Sequence, residues 1–374
     1  MFSIKRPEQV SISVPDYLHT KTCPGLTGIR GLAIIIVLLY HLGINHLLRS
    51  FNGHMTGRTG VDIFFLLSGF LITTLLLKEK IRAGQISLSN FYARRALRIL
   101  PVAYLFLLSM IIFNLAFKLA ITKASFLTGF LLLKNLPIIS VHDRWTRHFW
   151  SLSVEEQFYL FFPLLLKWVN LDKILILIAT TITTVLAFSI AGAHHLLDGQ
   201  TLLLEFSRLA VFFFWQGPFA ILLGCLFSIL VFKGFKFNCT TKRNSVLAGL
   251  FLATAILIRS PTFTFYTPFF CEFMADILVG FVIVLIVSRS GALAKLLNSR
   301  FLILMGTLSY SIYVWQQLFI SIPIQVPSSH LLGFGTAFWF VLIDVLRLIC
   351  ISLVSGLSYY FFEKKFLRLK VLFR

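Results

Sequence analysis

The stretch that decides the fold is GLTGIRGLAIIIVLLYHLG, residues 25–43, an apolar run interrupted by Arg30 and His41. A helix turns by about 100° per residue, so the eleven steps between these side chains come within about 20° of three full turns. Both side chains therefore lie on one helix face. Of the 374 residues, 58% are hydrophobic and 13% are charged. A water-soluble domain needs a more polar surface than this, so the chain is predicted to be an integral membrane protein.

Apolar runs that are candidates for membrane spans recur along the whole chain, since a span needs roughly 17 to 25 apolar residues. The predicted fold class is therefore all-α, a polytopic membrane helix bundle of about ten transmembrane helices. The candidate spans are 26–46, 59–77, 97–117, 150–168, 171–193, 208–232, 245–259, 273–289, 301–322 and 334–362.

Basic residues fall in every second connection between these runs. Lys78, Lys80 and Arg82 follow the second run, whereas HHLLDGQTLLLEFS, residues 194–207, contains neither lysine nor arginine. Loops rich in lysine and arginine stay in the cytoplasm, so both termini are predicted to be cytoplasmic. The net charge of +20 is thereby explained by topology, and nucleic acid is not expected as a partner.

One further apolar segment, ASFLTGFLLLKNLPIIS at 124–140, does not fit this alternation as a span. It is predicted to be a short surface or re-entrant piece on the outer side. The predicted organisation is a cytoplasmic segment at 1–25, a membrane domain at 26–362 and a basic cytoplasmic tail at 363–374. The first helix is not preceded by the features of a signal peptide, and the chain is expected to be a multi-pass protein of the inner or plasma membrane.

Arg30 and His41 lie at different depths of the first span. At 1.5 Å per residue they are about 16 Å apart along the axis, with Arg30 near the inner face and His41 toward the outer third. An ionisable pair on one face is costly in a bilayer unless it lines a polar cavity. The alternative is that each side chain extends to its nearest layer of headgroups.

Carboxylates are expected at the same outer depth as His41. Asp62 lies at the outer start of the second span, where it either belongs to a site or caps the helix. Glu155 and Glu156 lie about one turn inside a span that begins outside. Two adjacent side chains point to neighbouring faces of a helix, so at least one of the two glutamates is expected to face the interior of the bundle. The alternative is that both glutamates serve packing alone.

Arginines mark the inner start of the third span in NFYARRALRILP. Arg95 and Arg98 are one turn apart, which suits a phosphate clamp, because guanidinium groups pair with phosphate oxygens. Ordinary cytoplasmic anchoring explains the same pattern.

Taken together, the motifs resemble the acyltransferase-three family, multispan membrane O-acyltransferases that modify bacterial cell-surface sugars. Four segments match in order: TGIRGLAIIIVLLYHLG, GVDIFFLLSGFLI, RRALRILP and WSLSVEEQFYLFFPLL. A fifth, GTLSYSIYVWQQLF at 306–319, resembles a late SYSLYLWHWP type of segment. The family often has a histidine after the late tryptophan where this chain has Gln316 and Gln317. An amide at that position can bind a sugar or a thioester by hydrogen bonds but cannot act as an acid or base.

The resemblance implies a mechanism. Acyl-CoA, most often acetyl-CoA, would dock on the cytoplasmic face with its phosphates near Arg30, Arg95 and Arg98, and no metal is needed. His41 would act as general base on an acceptor hydroxyl or would carry the acyl group itself. One of three carboxylates would orient the imidazole: Glu155, Glu156 or Asp62. The motif side chains expected to bind substrate are Trp150, Ser68, Tyr310, Tyr313 and Gln316.

The predicted function is therefore transfer of an acyl group to a hydroxyl of a cell-surface or exported polysaccharide, such as a lipopolysaccharide or exopolysaccharide, or of a lipid-linked sugar. Two other classes stay open. The chain is alternatively an acyl exporter that supplies a separate extracytoplasmic transferase, or a transporter of polysaccharide or lipid-linked sugar. The ordered motif set favours the transferase over the transporter, and the lipid bilayer is the surrounding partner in every case.

Overall fold

In a computed structural model, the chain is described over residues 14–15, 18, 24–42, 57–136, 143–193, 200–215, 217–237, 241–259, 268–288, 292–323 and 336–373. These residues form helices and no strand. The first seven helices are α1 (Pro24–His41), α2 (Gly57–Ala83), α3 (Leu88–Phe117), α4 (Lys123–Phe130), α5 (Phe149–Trp168), α6 (Leu171–Ala193) and α7 (Thr201–Trp215). They are followed by α8 (Pro218–Phe232), α9 (Thr241–Ile258), α10 (Pro268–Ser288), α11 (Ala292–Leu297), α12 (Arg300–Ile320) and α13 (Thr336–Leu357). A π-helix (Ser358–Glu363), α14 (Lys364–Leu369) and a 3₁₀ turn (Lys370–Phe373) complete the described chain.

The outer surface of the bundle is apolar. Leu115, Trp168 and Leu202 expose 76%, 74% and 88% of their surface, which is unfavourable in water and suits contact with lipid tails. Among the described residues, five helices are long and apolar enough to cross a membrane, and they lie within 58–83, 88–117, 171–192, 270–287 and 338–373. The prediction of an all-helical membrane bundle is confirmed. The number of ten spans and the cytoplasmic termini stay predictions.

Close approach of α1 and α12 brings two predicted site residues together. A Cβ atom on Gly31 or on Gly306 would lie 2.2 or 1.9 Å from a backbone carbonyl oxygen of the facing helix. Small residues at such contacts let membrane helices pack backbone to backbone. Arg30 is adjacent to Gly31 and Tyr310 follows Gly306 by one turn, so the contact places both side chains at the same level.

The predicted span 208–232 is not one continuous helix. α7 ends at Trp215 and α8 begins at Pro218, a residue favoured at the first helical position. Gly217 between them has φ 145°, a conformation that favours glycine. A Cβ atom there would also lie 2.5 Å from the ring of Phe65. The prediction of an unbroken span is therefore wrong at this point.

The third predicted span also begins earlier than expected. α3 starts at Leu88 rather than at residue 97, because the polar residues before the apolar run continue the helix. Arg95 thus lies seven residues inside α3, about 10 Å from its start. This shift moves Arg95 away from the helix end and toward the middle of the bundle.

The segment predicted to be a short piece at 124–140 forms α4, which has eight residues. A helix of that length is about 12 Å long and cannot cross a hydrocarbon layer of about 30 Å. Its start is capped by the Thr122 hydroxyl, which accepts from the Ser125 backbone N–H at 3.2 Å. The prediction that this segment does not span is confirmed for 123–136, residues 137–142 lie outside the described residues, and its outer location stays a prediction.

Candidate active site

A cavity of about 70 Å³ lies where α1, α2, α5 and α12 meet. Its wall contains five residues that the sequence predicted for the site: Arg30, Ser68, Glu155, Tyr310 and Tyr313. The remaining lining residues are Val61, Phe64, Phe65, Ser151, Leu152 and Ser309. One cation, one carboxylate and several hydroxyl groups therefore share an otherwise apolar chamber inside the membrane bundle.

Glu155 is the most heavily bonded group in this cavity. Its Oε1 atom accepts hydrogen bonds from the Ser68 hydroxyl and from the Tyr159 hydroxyl, one helical turn away. The same oxygen lies 3.3 Å from Nη2 of Arg95. Its Oε2 atom makes no hydrogen bond to the residues that the structure describes. One oxygen of Glu155 is thus fixed and the other is left to accept from a bound molecule.

Arg95 lies between two carboxylates. Besides Glu155, its Nε atom is 3.5 Å from Oε1 of Glu156, and its guanidinium carbon lies 3.7 Å from the ring centre of Tyr159. The expectation that the glutamates lie at the outer depth of His41, away from the inner arginines, is therefore wrong. The early start of α3 explains the difference, because it brings Arg95 to the level of the two glutamates.

Arg30 and Arg98 complete a cluster of three arginines. Each lies within electrostatic range of the other and of Arg95. Neither forms an ion pair or a hydrogen bond with another residue in the described part of the chain. Because an uncompensated cation is costly inside a membrane protein, two such neighbouring cations are a favourable place for an anionic ligand.

His41 lies at the opposite end of α1 from Arg30 and does not line the cavity. Its Nδ1 atom is 2.8 Å from the Val37 carbonyl oxygen, one turn earlier. Donation from Nδ1–H to this carbonyl selects the tautomer in which Nε2 is free to accept a proton. Within the described residues, no hydrogen bond joins His41 to any predicted carboxylate partner, so a backbone carbonyl orients the ring instead.

Asp62 is held by a different partner. Its carboxylate accepts from Arg259 Nη1 at 2.9 Å and lies 3.8 Å from Nε of Arg58. Arg259 also pairs with Asp276. Asp62 is therefore one side of a buried ion-pair cluster that links α2 and α10 through Arg259, the residue after α9, and among the described residues it makes no hydrogen bond to His41.

The aromatic residues predicted to bind substrate have defined positions. The Tyr310 hydroxyl donates to the Ile99 carbonyl oxygen at 2.6 Å. The Tyr313 hydroxyl lies 2.5 Å from the Ser151 hydroxyl and donates to the His148 carbonyl oxygen at 3.1 Å. These two tyrosines tie α12 to α3 and α5 and shape one wall of the cavity.

Trp150 and Gln316 lie outside the cavity wall. The ring of Trp150 packs edge-on against Phe65 at 6.0 Å between centres. Gln316 is buried, and its side-chain oxygen makes no hydrogen bond to the described residues. Trp150 thus supports the wall from behind, through the lining residue Phe65.

Two polar residues of the site were not singled out from the sequence. Ser151 lies one turn before Glu155 on α5, and Tyr159 lies one turn after it. Helical spacing of four residues places all three on one face. The four-residue spacing of Ser151 and Tyr159 from Glu155 is the sequence signal that could have identified both residues.

Comparison with known proteins gives the same assignment for most of the chain. A family model described as an acyltransferase domain matches residues 24–356. The chain is 28% identical to the putative peptidoglycan O-acetyltransferase YrhL of Bacillus subtilis strain 168, covering 92% of this chain and 55% of that protein. It is 26% identical to the O-acetyltransferase OatA of Staphylococcus aureus strain NCTC 8325, covering 93% and 57%.

A third relative is the peptidoglycan O-acetyltransferase OatA of Listeria monocytogenes, 28% identical over 82% of this chain and 50% of the relative. The chain thus spans little more than half the length of these relatives. No solved structure matches the chain significantly.

Proposed function

The chain belongs to the acyltransferase domain family, and we propose that it is a membrane O-acetyltransferase that moves an acetyl group from cytoplasmic acetyl-CoA to a hydroxyl of a cell-surface glycan. The observation that carries this proposal is the cavity in which Arg30 and the hydrogen-bonded Glu155 share a wall with hydroxyl groups. Such a transferase needs cations for the donor's phosphates beside a less polar chamber for its thioester. The transporter alternative does not explain the membership of this family.

Arg30 and Arg98 are the proposed contacts for the donor's phosphates. Both lack an ion-pair partner among the described residues, and guanidinium groups form paired hydrogen bonds with phosphate oxygens. Arg95 is bound by Glu155 and Glu156. Its proposed role therefore differs from the phosphate contact predicted from the sequence: Arg95 holds the two carboxylates in place.

His41 is the proposed base. Its free Nε2 atom takes the proton from the acceptor hydroxyl while the hydroxyl oxygen attacks the carbonyl carbon of the thioester. The new C–O bond forms as the C–S bond breaks, and the sulfur leaves as a thiolate that takes a proton from solvent. In the relay version, Nε2 attacks the thioester carbon first and the thiolate leaves. The acceptor hydroxyl then attacks the acetyl-imidazole, and its proton goes to the imidazole as the C–N bond breaks.

Glu155 is proposed to orient the reacting groups. Its Oε1 atom is held by Ser68, Tyr159 and Arg95, so the carboxylate cannot rotate away. The free Oε2 atom then accepts a hydrogen bond from a group in the cavity. A preorganised acceptor of this kind lowers the cost of positioning during the reaction.

The acceptor is proposed to be a cell-wall glycan. Two of the relatives are named as peptidoglycan O-acetyltransferases, and a lipopolysaccharide or exopolysaccharide is the alternative acceptor. The proposed location is the cytoplasmic membrane of a bacterium, with the donor on the inner side and the glycan on the outer side.

The test is acetyl ester content per glycan repeat, measured by mass spectrometry in cells that produce the chain and in cells that carry an empty vector. We expect His41→Ala to lower transfer by about 10²–10⁴-fold, the usual contribution of a positioned base. His41→Gln and His41→Asn should fail equally, because an amide does not take a proton at neutral pH.

Equal ester content in parent and empty-vector cells, at verified expression, would contradict the proposed function. Robust transfer by both amide variants would leave the function standing. It would move the chemical step from His41 to the Glu155 and Glu156 pair.

A second candidate is an acyl relay, in which the chain exports the acetyl group to a separate extracytoplasmic transferase. Purified chain in lipid vesicles distinguishes the two. Complete transfer acetylates an added glycan without another protein, whereas a relay acetylates it only when a transferase is supplied.

A further inference from the structure

The described chain ends in a segment that packs beside the arginine cluster. This C-terminal segment contains the π-helix Ser358–Glu363, α14 and the 3₁₀ turn Lys370–Phe373. It lies beyond residue 356, where the match to the family ends. From the sequence, residues up to 362 are predicted as the end of the last span and 363–374 as a basic cytoplasmic tail, yet the last turns of the segment pack against α3, the helix that carries Arg95 and Arg98.

Arg94 anchors the C-terminal segment. Its Nη1 atom donates to the Phe373 carbonyl oxygen at 2.5 Å, and its Nη2 atom pairs with Glu79 of α2 at 3.0 Å. One arginine therefore ties the segment to two helices of the bundle. The neighbouring Arg95 contacts Glu155 and Glu156 instead. Consecutive residues of α3 therefore bind the C-terminal segment and the carboxylates beside the cavity.

Glu363 is the one carboxylate that the segment brings to the cluster. Its Oε2 atom accepts from the Ser311 hydroxyl at 2.6 Å, and the side chain is buried. In a π-helix, hydrogen bonds join residues five apart. This places Ser358 and Glu363 on one buried face, whereas in an α-helix five steps would separate them by about 140°.

Lys370 is half-buried among cations. The charged groups that act on it most strongly are Arg98, Arg95, Glu363 and Arg30. No ion pair or hydrogen bond to the described residues involves its ammonium group. A lysine held beside arginines is unfavourable unless an anion joins them.

The charges of these groups match one particular kind of anion. Arg30, Arg98 and Lys370 contribute three positive charges and Glu363 contributes one negative charge, which leaves a net charge of +2 when all are ionised. A phosphate monoester carries about −1.5 to −2 at neutral pH. Coenzyme A contains such a monoester in addition to its diphosphate, and anionic lipid headgroups supply phosphate from another source.

From this arrangement we propose that Lys370 joins Arg30 and Arg98 in binding a phosphate group, and that Glu363 is the counterion of the cluster when no phosphate is bound. The inference deepens the proposed function, on which it rests for the identity of the donor. It assigns a binding role to a segment outside the family match.

The test measures binding of coenzyme A, 3′-dephospho-coenzyme A and phosphatidylglycerol to the full chain in nanodiscs of zwitterionic lipid. We expect Lys370→Ala to weaken binding about tenfold, in line with loss of one charged hydrogen bond. Lys370→Arg should restore most of the affinity. Lys365→Ala is the matched control, since it removes an equal charge from an exposed position of the same segment, and it should bind like the parent. Glu363→Gln should bind more tightly than the parent.

The ligands distinguish the sources of phosphate. If coenzyme A loses affinity on Lys370→Ala and the dephospho form does not, Lys370 binds the donor's monoester. If only phosphatidylglycerol binding weakens, the phosphate comes from lipid. Equal binding by the Lys370→Ala and Lys365→Ala variants for all three ligands would overturn the inference.

A further variant separates this inference from the proposed function. If Arg98→Ala weakens coenzyme A binding and Lys370→Ala does not, the donor site stands and the role of Lys370 is refuted. If the parent binds phosphatidylglycerol through Lys370 but transfers no acetyl group, the proposed function fails and the phosphate site remains.

Discussion

Two arginines in this bundle, the half-buried Arg95 and the buried Arg259, each lie between two carboxylates, and their surroundings differ. The Arg259 cluster contains Asp62 and Asp276, and the three side chains expose 6–8% of their surface. The Arg95 cluster contains Glu155 and Glu156, and its side chains expose 17–19%. Arg259 makes hydrogen bonds to both of its carboxylates, whereas Arg95 makes one to Glu155 at 3.3 Å and lies 3.5 Å from Oε1 of Glu156.

The neighbours of the two clusters differ as well. Arg95 lies beside a cavity and beside two arginines that have no ion-pair partner in the described residues, whereas the carboxylates of the Arg259 cluster do not line that cavity. Charge inside a membrane protein therefore serves two purposes here. The Arg259 cluster, here called the closed cluster, joins α2 and α10 at the end of α9. The Arg95 cluster, here called the open cluster, is available to a ligand.

The largest effect is expected from Glu155→Gln, which tests whether the open cluster is needed for acetyl transfer. The amide keeps the size of the side chain and one oxygen that still accepts from Ser68 and Tyr159, but it removes the charge that pairs with Arg95. We expect acetyl transfer to fall by roughly 10²–10⁴-fold, with little change in the melting temperature. Transfer is measured as acetyl ester formed by the purified variant in lipid vesicles, and near-parental transfer would remove Glu155 from the site.

The next largest effect is expected on stability, from replacing the arginine of the closed cluster. Arg259→Met leaves Asp62 and Asp276 buried without their partner, which costs about 3–5 kcal/mol in soluble proteins. We expect a clear fall in melting temperature in detergent, while the transfer rate per folded molecule stays near that of the parent. A variant as stable as the parent would show that the cluster does not hold the helices together.

The smallest effects are expected from removing one hydroxyl group near each of the two arginine clusters. Tyr313→Phe removes the contacts to Ser151 and to the His148 carbonyl at the cavity wall, and we expect a several-fold loss of transfer. Thr59→Val removes a hydroxyl that accepts from Arg259 at 3.2 Å, and we expect a loss of about 1 kcal/mol in stability without loss of transfer. If both variants changed the same property, the two regions would not have separate roles.

The sequence predicted where the helices lie better than it predicted which side chains pair between helices. Long apolar runs indicate membrane helices without any knowledge of packing, and the family motifs singled out Arg30, Ser68 and Glu155 as site residues, although with Arg30 and Glu155 at different depths. The pairing of Asp62 with Arg259, which follows it by 197 residues, left no local signal in the sequence. Pairing across the bundle depends on which helices pack together, which hydropathy does not reveal.

The boundaries that mattered for the site also came from packing. Residues 88–96 are too polar to count as a membrane run, yet they continue α3 and carry Arg95 to the glutamates. The break at Gly217 depends on the close approach of Phe65, a contact between distant parts of the chain. The C-terminal segment was predicted as the end of the last span, to residue 362, followed by a basic tail, because hydropathy and charge do not reveal that its last turns pack against α3.

The central claim is that the Arg95 cluster is the site and the Arg259 cluster is structural, and one matched pair of variants tests it. Glu155→Gln and Asp62→Asn both replace a buried carboxylate by its amide, and both residues were predicted to be catalytic from the sequence. The measurement is transfer rate per folded molecule together with melting temperature, made on both variants in one preparation. The account predicts that Glu155→Gln loses transfer and keeps its melting temperature, and that Asp62→Asn keeps transfer and melts lower. Loss of transfer in a stable Asp62→Asn variant, with activity retained in Glu155→Gln, would contradict it.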